Sequence, residues 1–261
     1  MLDGTIFATG ISGLAALWAL AYGGLLVLYF GSGWALQTVS RRHPARRIQT
    51  RAPSDRTRDI RQSVGSLATI ALYVAGGIWA QAHGLGLWSP LKLDWAAAIG
   101  GFAVSLVLYD AWFYWLHRLM HTRALFRFHA LHHKSIAPTA WSNNNDTIVG
   151  AFVEQSYFLF VPLLLPFPPV VLIAHKVWDQ VTGMIGHAGY EFFASPSARA
   201  PWPGVCTTYH DQHHAHFHCN FANTLTLWDR LMGTLHPTYD ARVEAFEALF
   251  RAERDARQPA K

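Results

Sequence analysis

Three short stretches, with the residues just after the last, hold ten of the fifteen histidines in this 261-residue chain. They read His117-Arg-Leu-Met-His121, His129-Ala-Leu-His132-His133 and His210-Asp-Gln-His213-His214, with His216 and His218 just beyond the last. Residues three and four apart share a face of a helix, so HxxxH presents two imidazoles side by side and HxxHH presents three. Imidazole is a strong neutral ligand for zinc, copper, iron or nickel. A zinc site of the ordinary kind closes with four ligands, fewer than these boxes offer. The spacing therefore points to two metals.

The elements that carry these boxes are apolar. Hydrophobic residues make up 51% of the chain and charged residues 14%, with eleven Trp, against roughly 25% charged in soluble domains. Ile6–Phe30 has no charged side chain, a run long enough to cross a bilayer core. The only earlier charge is Asp3 rather than a basic leader, so the run reads as a retained span. A second charge-free stretch, Ser63–Leu91, is most apolar at Val64–Ala82. A third span begins near Trp95 and runs through Leu116, delivering His117 from the membrane. Thr147–Leu165 and Pro169–Gly186 read as a helical hairpin interrupted by Pro162, Pro166, Pro168 and Pro169. A charged helical pattern, Ala241–Ala256, follows near the end.

The net charge of +5 comes mainly from Arg41, Arg42, Arg46, Arg47, Arg51, Arg56, Arg58 and Arg61, opposed by Asp55 and Asp59. Between two apolar spans this run reads as a cytoplasmic loop near anionic lipid, with no nucleic-acid partner. Parity then puts the His83–Asp94 loop outside and every histidine cluster on the cytoplasmic face. Cys206 and Cys219 cannot build a disulfide framework, and in a reducing compartment they read as free thiols. The expected fold is all-α and integral to a membrane, placed here in a bacterial inner membrane. It has three spanning helices and a helical hairpin, with a cytoplasmic helical cap carrying the dimetal site. The expected division is 1–94 (membrane spans and arginine loop), 95–240 (catalytic domain) and 241–261 (charged tail).

The motifs over Asp110–Pro237 resemble the fatty acid hydroxylase/sterol desaturase superfamily of membrane di-iron enzymes. They are Tyr114-Trp-Leu-His-Arg-Leu-Met-His121, Leu125-Phe-Arg-Phe-His-Ala-Leu-His-His-Lys134, Gly186-His-Ala-Gly-Tyr-Glu191, Tyr209-His-Asp-Gln-His-His214, Asn220 and Trp228-Asp-Arg-Leu-Met-Gly-Thr234. The resemblance implies nine ligands: His117, His121, His129, His132, His133, His187, His210, His213 and His214. It implies two iron ions and dioxygen as co-substrate, acting on a C–H bond of a hydrophobic lipid by hydroxylation or desaturation. No flavin, haem or iron–sulfur motif is present, so electrons would come from a separate reductase with a ferredoxin or small cytochrome. Candidate substrates are fatty acyl chains, aminolipids, sterol-like polycyclics and carotenoids.

Two acids join the expected site. Asp110 lies two helical turns before His117, where an acceptor for a ligand's ring N–H is expected and a structural bridge between spans is the alternative. Glu191, four residues after His187, reads as a ligand or as a group that orients one. Asp211 could act likewise or be solvated, and Asn143–Asn145 read as turn residues. His175 reads as packing, His216 and His218 as surface residues, and the Trp residues near span ends as an interfacial belt. Against a zinc-dependent membrane hydrolase, the chain has no HExxH motif and more histidines than one zinc needs. Against a metal transporter, nearly all the candidate ligands sit at one membrane face rather than at mid-membrane depth.

Overall fold

A computed structural model describes residues 10–256. Ten α-helices and no strand are present among these residues. The three long ones are α1 (Ile11–Arg42), α2 (Arg56–Ala82) and α3 (Trp95–Met120). Each is long and apolar enough to cross a membrane. Residues 6–9 of the first expected span lie outside the described residues. That helix also continues past Phe30 to Arg42, and at 32 residues it measures about 48 Å, well beyond a hydrocarbon core. α2 starts earlier than its apolar run, because Asp55 accepts from the Arg58 N–H at 3.1 Å and caps it. Asp94 caps α3 in the same way, accepting from Ala97 N–H at 2.8 Å.

α2 is the central helix, packed against α1 on one side and α6 (Tyr157–Leu164) on another. Leu67, Ile70 and Ala71 of α2 meet Leu25 and Tyr29 of α1 and Trp141; Val74 and Ile78 meet Tyr157, Phe158 and Val161. Pro162, inside α6, has no N–H to offer the Phe158 carbonyl. Gly77 of α2 fits against that oxygen, where a Cβ would come within 2.3 Å. The outer faces of α1 and α3 remain apolar and open: Val27 is 74% exposed and Ile99 69%. Of the six Trp residues expected in the belt, Trp34, Trp88, Trp95 and Trp115 are exposed, whereas Trp79 is half-buried and stacked on His83 and Trp112 is half-buried against the core.

The expected hairpin is present with a broken first arm. α5 (Ile148–Gln155) stops at Ser156 and α6 follows, each with eight residues, or about 12 Å. The return arm is a single helix, α7 (Pro169–Gly186), that starts on a proline. The remaining short helices are α4 (Phe126–His129), α8 (Thr207–His216), α9 (Leu227–Met232) and α10 (Tyr239–Asp255). α8, α9 and α10 pack around Tyr114, Tyr209, Phe221, Tyr239 and Val243 near the end of α3 that carries His117, and α4 lies against α3 and α5. The expected C-terminal pattern is therefore α10, and residues 257–261 of the tail lie outside the described residues.

The arginine segment is docked onto this cap. Ile48 N–H donates to Gly189 O at 3.0 Å and Glu191 N–H to Arg46 O at 2.9 Å. Arg46 pairs with Glu253 and lies 4.3 Å from the centre of the Phe250 ring. Asp211, on α8, is buried and accepts from Gln49 Nε2 at 2.7 Å and from the Arg51 guanidinium at 2.9 Å.

Candidate metal centre

The last turn of α3 carries His117, and His121 caps it. Five residues on, α4 and the turn after it carry His129, His132 and His133. His187 caps α7, and α8 carries His210, His213 and His214. The nine rings converge in two groups. His117, His121, His129, His133 and His213 form one, and His132, His187, His210 and His214 form the other. Within each group the donor nitrogens lie within 4.8 Å of one another. The two groups abut, with the His133 and His214 rings 4.8 Å apart.

The helix repeat explains the partition. Pairs four apart stay together: His117 with His121, His129 with His133, and His210 with His214. The third member of each HxxHH-type box turns about 100° away per residue and joins the opposite group. Each such box therefore contributes to both groups rather than presenting three rings to one.

The ring nitrogens turned away from the groups set the tautomers. His117 Nδ1 donates to Phe221 O at 2.8 Å and His213 Nδ1 to Cys219 O at 2.7 Å. His187 Nδ1 donates to Gly183 O at 2.8 Å and His132 Nδ1 to Asn145 O at 3.3 Å. With those protons committed, each Nε2 is a lone pair. Yet His187 Nε2 and His132 Nε2 face each other at 3.2 Å, and His210 Nε2 and His187 Nε2 at 2.9 Å. Converging lone pairs repel unless a cation lies between them. Bonds of about 2.1 Å from one ion place neighbouring donors about 3 Å apart at right angles, so the donor set fits a metal in each group.

Burial favours the neutral, ligating form. Desolvation, and then the neighbouring histidines, push His132, His133, His210, His213 and His214 well below the usual imidazole range. The same burial lowers His121 to about 3 and His187 to about 4. His129 goes the other way: burial alone would lower it, but Glu154 and Asp146 outweigh that effect and raise it. Its Nδ1 lies 3.3 Å from Glu154 Oε1 and 3.5 Å from Asp146 Oδ2 while Nε2 faces His117 Nε2 at 3.2 Å. Carboxylate, imidazole and donor group are thus in line.

The acids singled out from the sequence stand elsewhere. Asp110 is buried but touches no imidazole; its Oδ1 accepts from Thr224 N–H at 2.7 Å and Leu225 N–H at 3.0 Å. His117, two turns on, uses a backbone carbonyl instead, so Asp110 bridges α3 to the loop before α9. Glu191 belongs to neither donor group. It accepts from Thr208 N–H at 2.8 Å and Thr208 Oγ1 at 2.6 Å, holding the first turn of α8 and with it three of the nine rings.

Other residues matter more than their sequence context showed. Asp229, fully buried, accepts from Phe221 N–H and Ala222 N–H, both at 2.9 Å, and from the Tyr209 hydroxyl. It thereby fixes the loop whose carbonyls hold His117 and His213. Asp59, also fully buried, accepts from Asn145 Nδ2 at 2.9 Å and Ser135 Oγ at 3.1 Å, fixing the segment behind His132. The Trp228–Thr234 motif contained Asp229, whereas Asp59 had no sequence signal beyond its place among arginines. Asn144 pairs with Gln180, and Asn143 and Asn144 line a cavity rather than only forming turns. His175 is packed among aromatic rings and bonds Ser105 Oγ at 2.7 Å. His216 is exposed, stacked on His236, and His218 is exposed as well. Cys206 and Cys219 are buried free thiols.

That cavity, about 560 Å³, reaches both groups, since His117, His132, His187 and His210 all line it. Trp178, Val181, Ile185, Phe193 and Val205 give it apolar walls, and Glu154, Asp179 and Asn223 a polar edge.

Comparison with known proteins finds the same region. The family model for fatty acid hydroxylase matches residues 102–234, just over half of the chain. A methylsterol monooxygenase of Aspergillus fumigatus is 33% identical over 162 residues, 59% of this chain and 51% of that protein. The cholesterol 25-hydroxylase of Homo sapiens is 32% identical over 134 residues, 50% of this chain and 49% of that protein. A Delta(7)-sterol 5(6)-desaturase of Gibberella zeae is 27% identical over 134 residues, 51% of this chain and 37% of that protein. The matches span about half the length, or less, of these curated relatives. No solved structure matches the chain.

Proposed function

The chain belongs to the fatty acid hydroxylase family, and from that premise we propose that it is a dioxygen-dependent hydroxylase of a membrane lipid. The observation that carries the reading is the convergence of nine imidazoles in groups of five and four at one wall of an apolar cavity. In this reading His117, His121, His129, His133 and His213 hold one iron ion, and His132, His187, His210 and His214 hold the other. Bound there, two iron ions would supply redox chemistry with dioxygen strong enough to break an unactivated C–H bond, which redox-inert zinc cannot supply.

The chain's own residues do the rest. Trp178, Val181 and Ile185 on α7 form a wall that excludes water and lays a hydrocarbon beside the rings. Phe221 O, Cys219 O, Gly183 O and Asn145 O keep the Nδ1 protons, leaving Nε2 free to ligate. Glu154 and Asp146 stand ready to take the His129 Nδ1 proton or hold it. Electrons come from a separate protein, a reductase with a ferredoxin or small cytochrome. Charge and parity favour the cytoplasmic face of a bacterial inner membrane for the donor groups, with residues 95–240 as the catalytic domain.

Desaturation is the second reading, favoured because one matched relative is named a desaturase. The two are separated by mass spectrometry of total lipid, pigments included, from cells expressing the wild type or His213→Ala under air. The proposal expects a wild-type-only species heavier by one oxygen. A species lighter by two hydrogens would replace it with desaturation, and a difference of neither kind would count against both.

A further inference from the structure

The donor groups are reached from a second side. His121 and His133, both of the five-membered group, line a shallow surface depression of about 500 Å³ with Phe126, Ala130, Lys134 and Phe217. It shares no lining residue with the lipid cavity. The depression lies beyond the inner end of α3, among the cap segments. Lys134 is the charged residue of its lining. The segment that supplies most of that lining, His121–Lys134, also carries Arg123 and Arg127 and no carboxylate, while residues 212–228 carry no charge. Arg123, Arg127 and Lys134 are exposed. None of the three is in an ion pair among the described residues.

We infer that this depression is the docking site of an acidic one-electron carrier protein. The inference rests on the oxidative reading above. Hydroxylation balances as R–H + O₂ + 2 e⁻ + 2 H⁺ → R–OH + H₂O, so each turnover draws two electrons from the carrier, which is oxidised twice. The cavity is occupied by lipid at that stage, so electrons need another approach. Two donor imidazoles in the lining of the depression supply a route from outside to the five-membered group that does not pass through the lipid cavity. Lys134 beside the Phe126 and Phe217 rings, with exposed Arg123 and Arg127 in the same segment, suits a carrier with acidic residues about its redox centre. Such encounters are small, fast and steered by charge.

The test uses the full chain in nanodiscs of zwitterionic phosphatidylcholine, with a small acidic [2Fe–2S] ferredoxin as the probe. Binding should weaken as salt rises, and the combined variant Arg123→Glu, Arg127→Glu, Lys134→Glu should bind about tenfold more weakly or worse. Arg251→Glu on α10 should bind as the wild type does. A carbodiimide should cross-link Lys134 to a ferredoxin carboxylate. Unchanged metal content and melting of the combined variant would show that it is folded. Wild-type affinity in that variant, or cross-links mapping elsewhere, would overturn the inference. So would a loss seen only on phosphatidylglycerol vesicles, which would make the rim a contact for lipid headgroups. Failure of the oxidative reading would show separately, as intact ferredoxin binding with no oxidised lipid in the wild type.

Discussion

The long helices and the cap solve opposite problems with opposite residues. On α1 and α3 large apolar side chains face outward, Val27 and Ile99 among them, and packing depends on close approach at positions such as Gly77. In the cap the interior is polar: Asp59, Asp229, Asn145, Glu191 and seven of the donor histidines are buried at 5% exposure or less, each engaged by a named partner or neighbouring ring. An outward apolar face tolerates exchange because lipid is a permissive neighbour. A buried polar network does not, because every deleted partner leaves another group unsatisfied.

That contrast can be broken or sharpened by substitution. The largest effect is expected from His133→Ala, which removes a ring shared between the depression and the five-membered group: activity should fall to background and bound metal should drop while membrane insertion, checked by fractionation, persists. Full turnover would remove His133 from the ligand set. Asp229→Ala should come next. It leaves two backbone N–H groups unsatisfied, costs about 2–4 kcal/mol, and lowers metal content because the carbonyls behind His117 and His213 are released. Thermal melting and metal analysis check it together, and a stable variant with full metal would mean the loop holds itself. In the membrane region Gly77→Val should cost about 1–3 kcal/mol by overpacking against Phe158 O, read as a lower melting temperature with metal content per folded chain unchanged. The smallest effect is expected from Ile99→Ala on the open face, within about 0.5 kcal/mol. A large loss there would show that another protein surface covers the face.

Much of this was legible in the sequence, and the limits follow the same divide. The apolar helices and the eight histidines of the three boxes could be read because hydropathy and i, i+4 spacing are local properties, whereas His187 joined the set only through the family resemblance. The split of each HxxHH-type box between two groups follows from helix geometry, yet it shows only once a second box faces the first. Asp110 was legible as a buried acid but its partner was not: Thr224 and Leu225 lie more than a hundred residues on, in a loop with no periodicity. Glu191 likewise sits one turn from His187 in sequence, but it faces the start of α8 because the segment turns there. The arginine segment gave the least guidance, since a basic run suits an anionic membrane as well as it suits docking on Asp211 and Glu253. Charge composition is silent on which.

The central claim is that the five- and four-membered groups each hold one redox-active ion. Metal analysis of the full-length wild type, purified anaerobically in lipid with Mössbauer spectra recorded on iron-57-grown material, tests it most directly. The account predicts two iron ions per chain, with loss of the second in His214→Ala. A single ion, or zinc in stoichiometric amount with no iron, would contradict it.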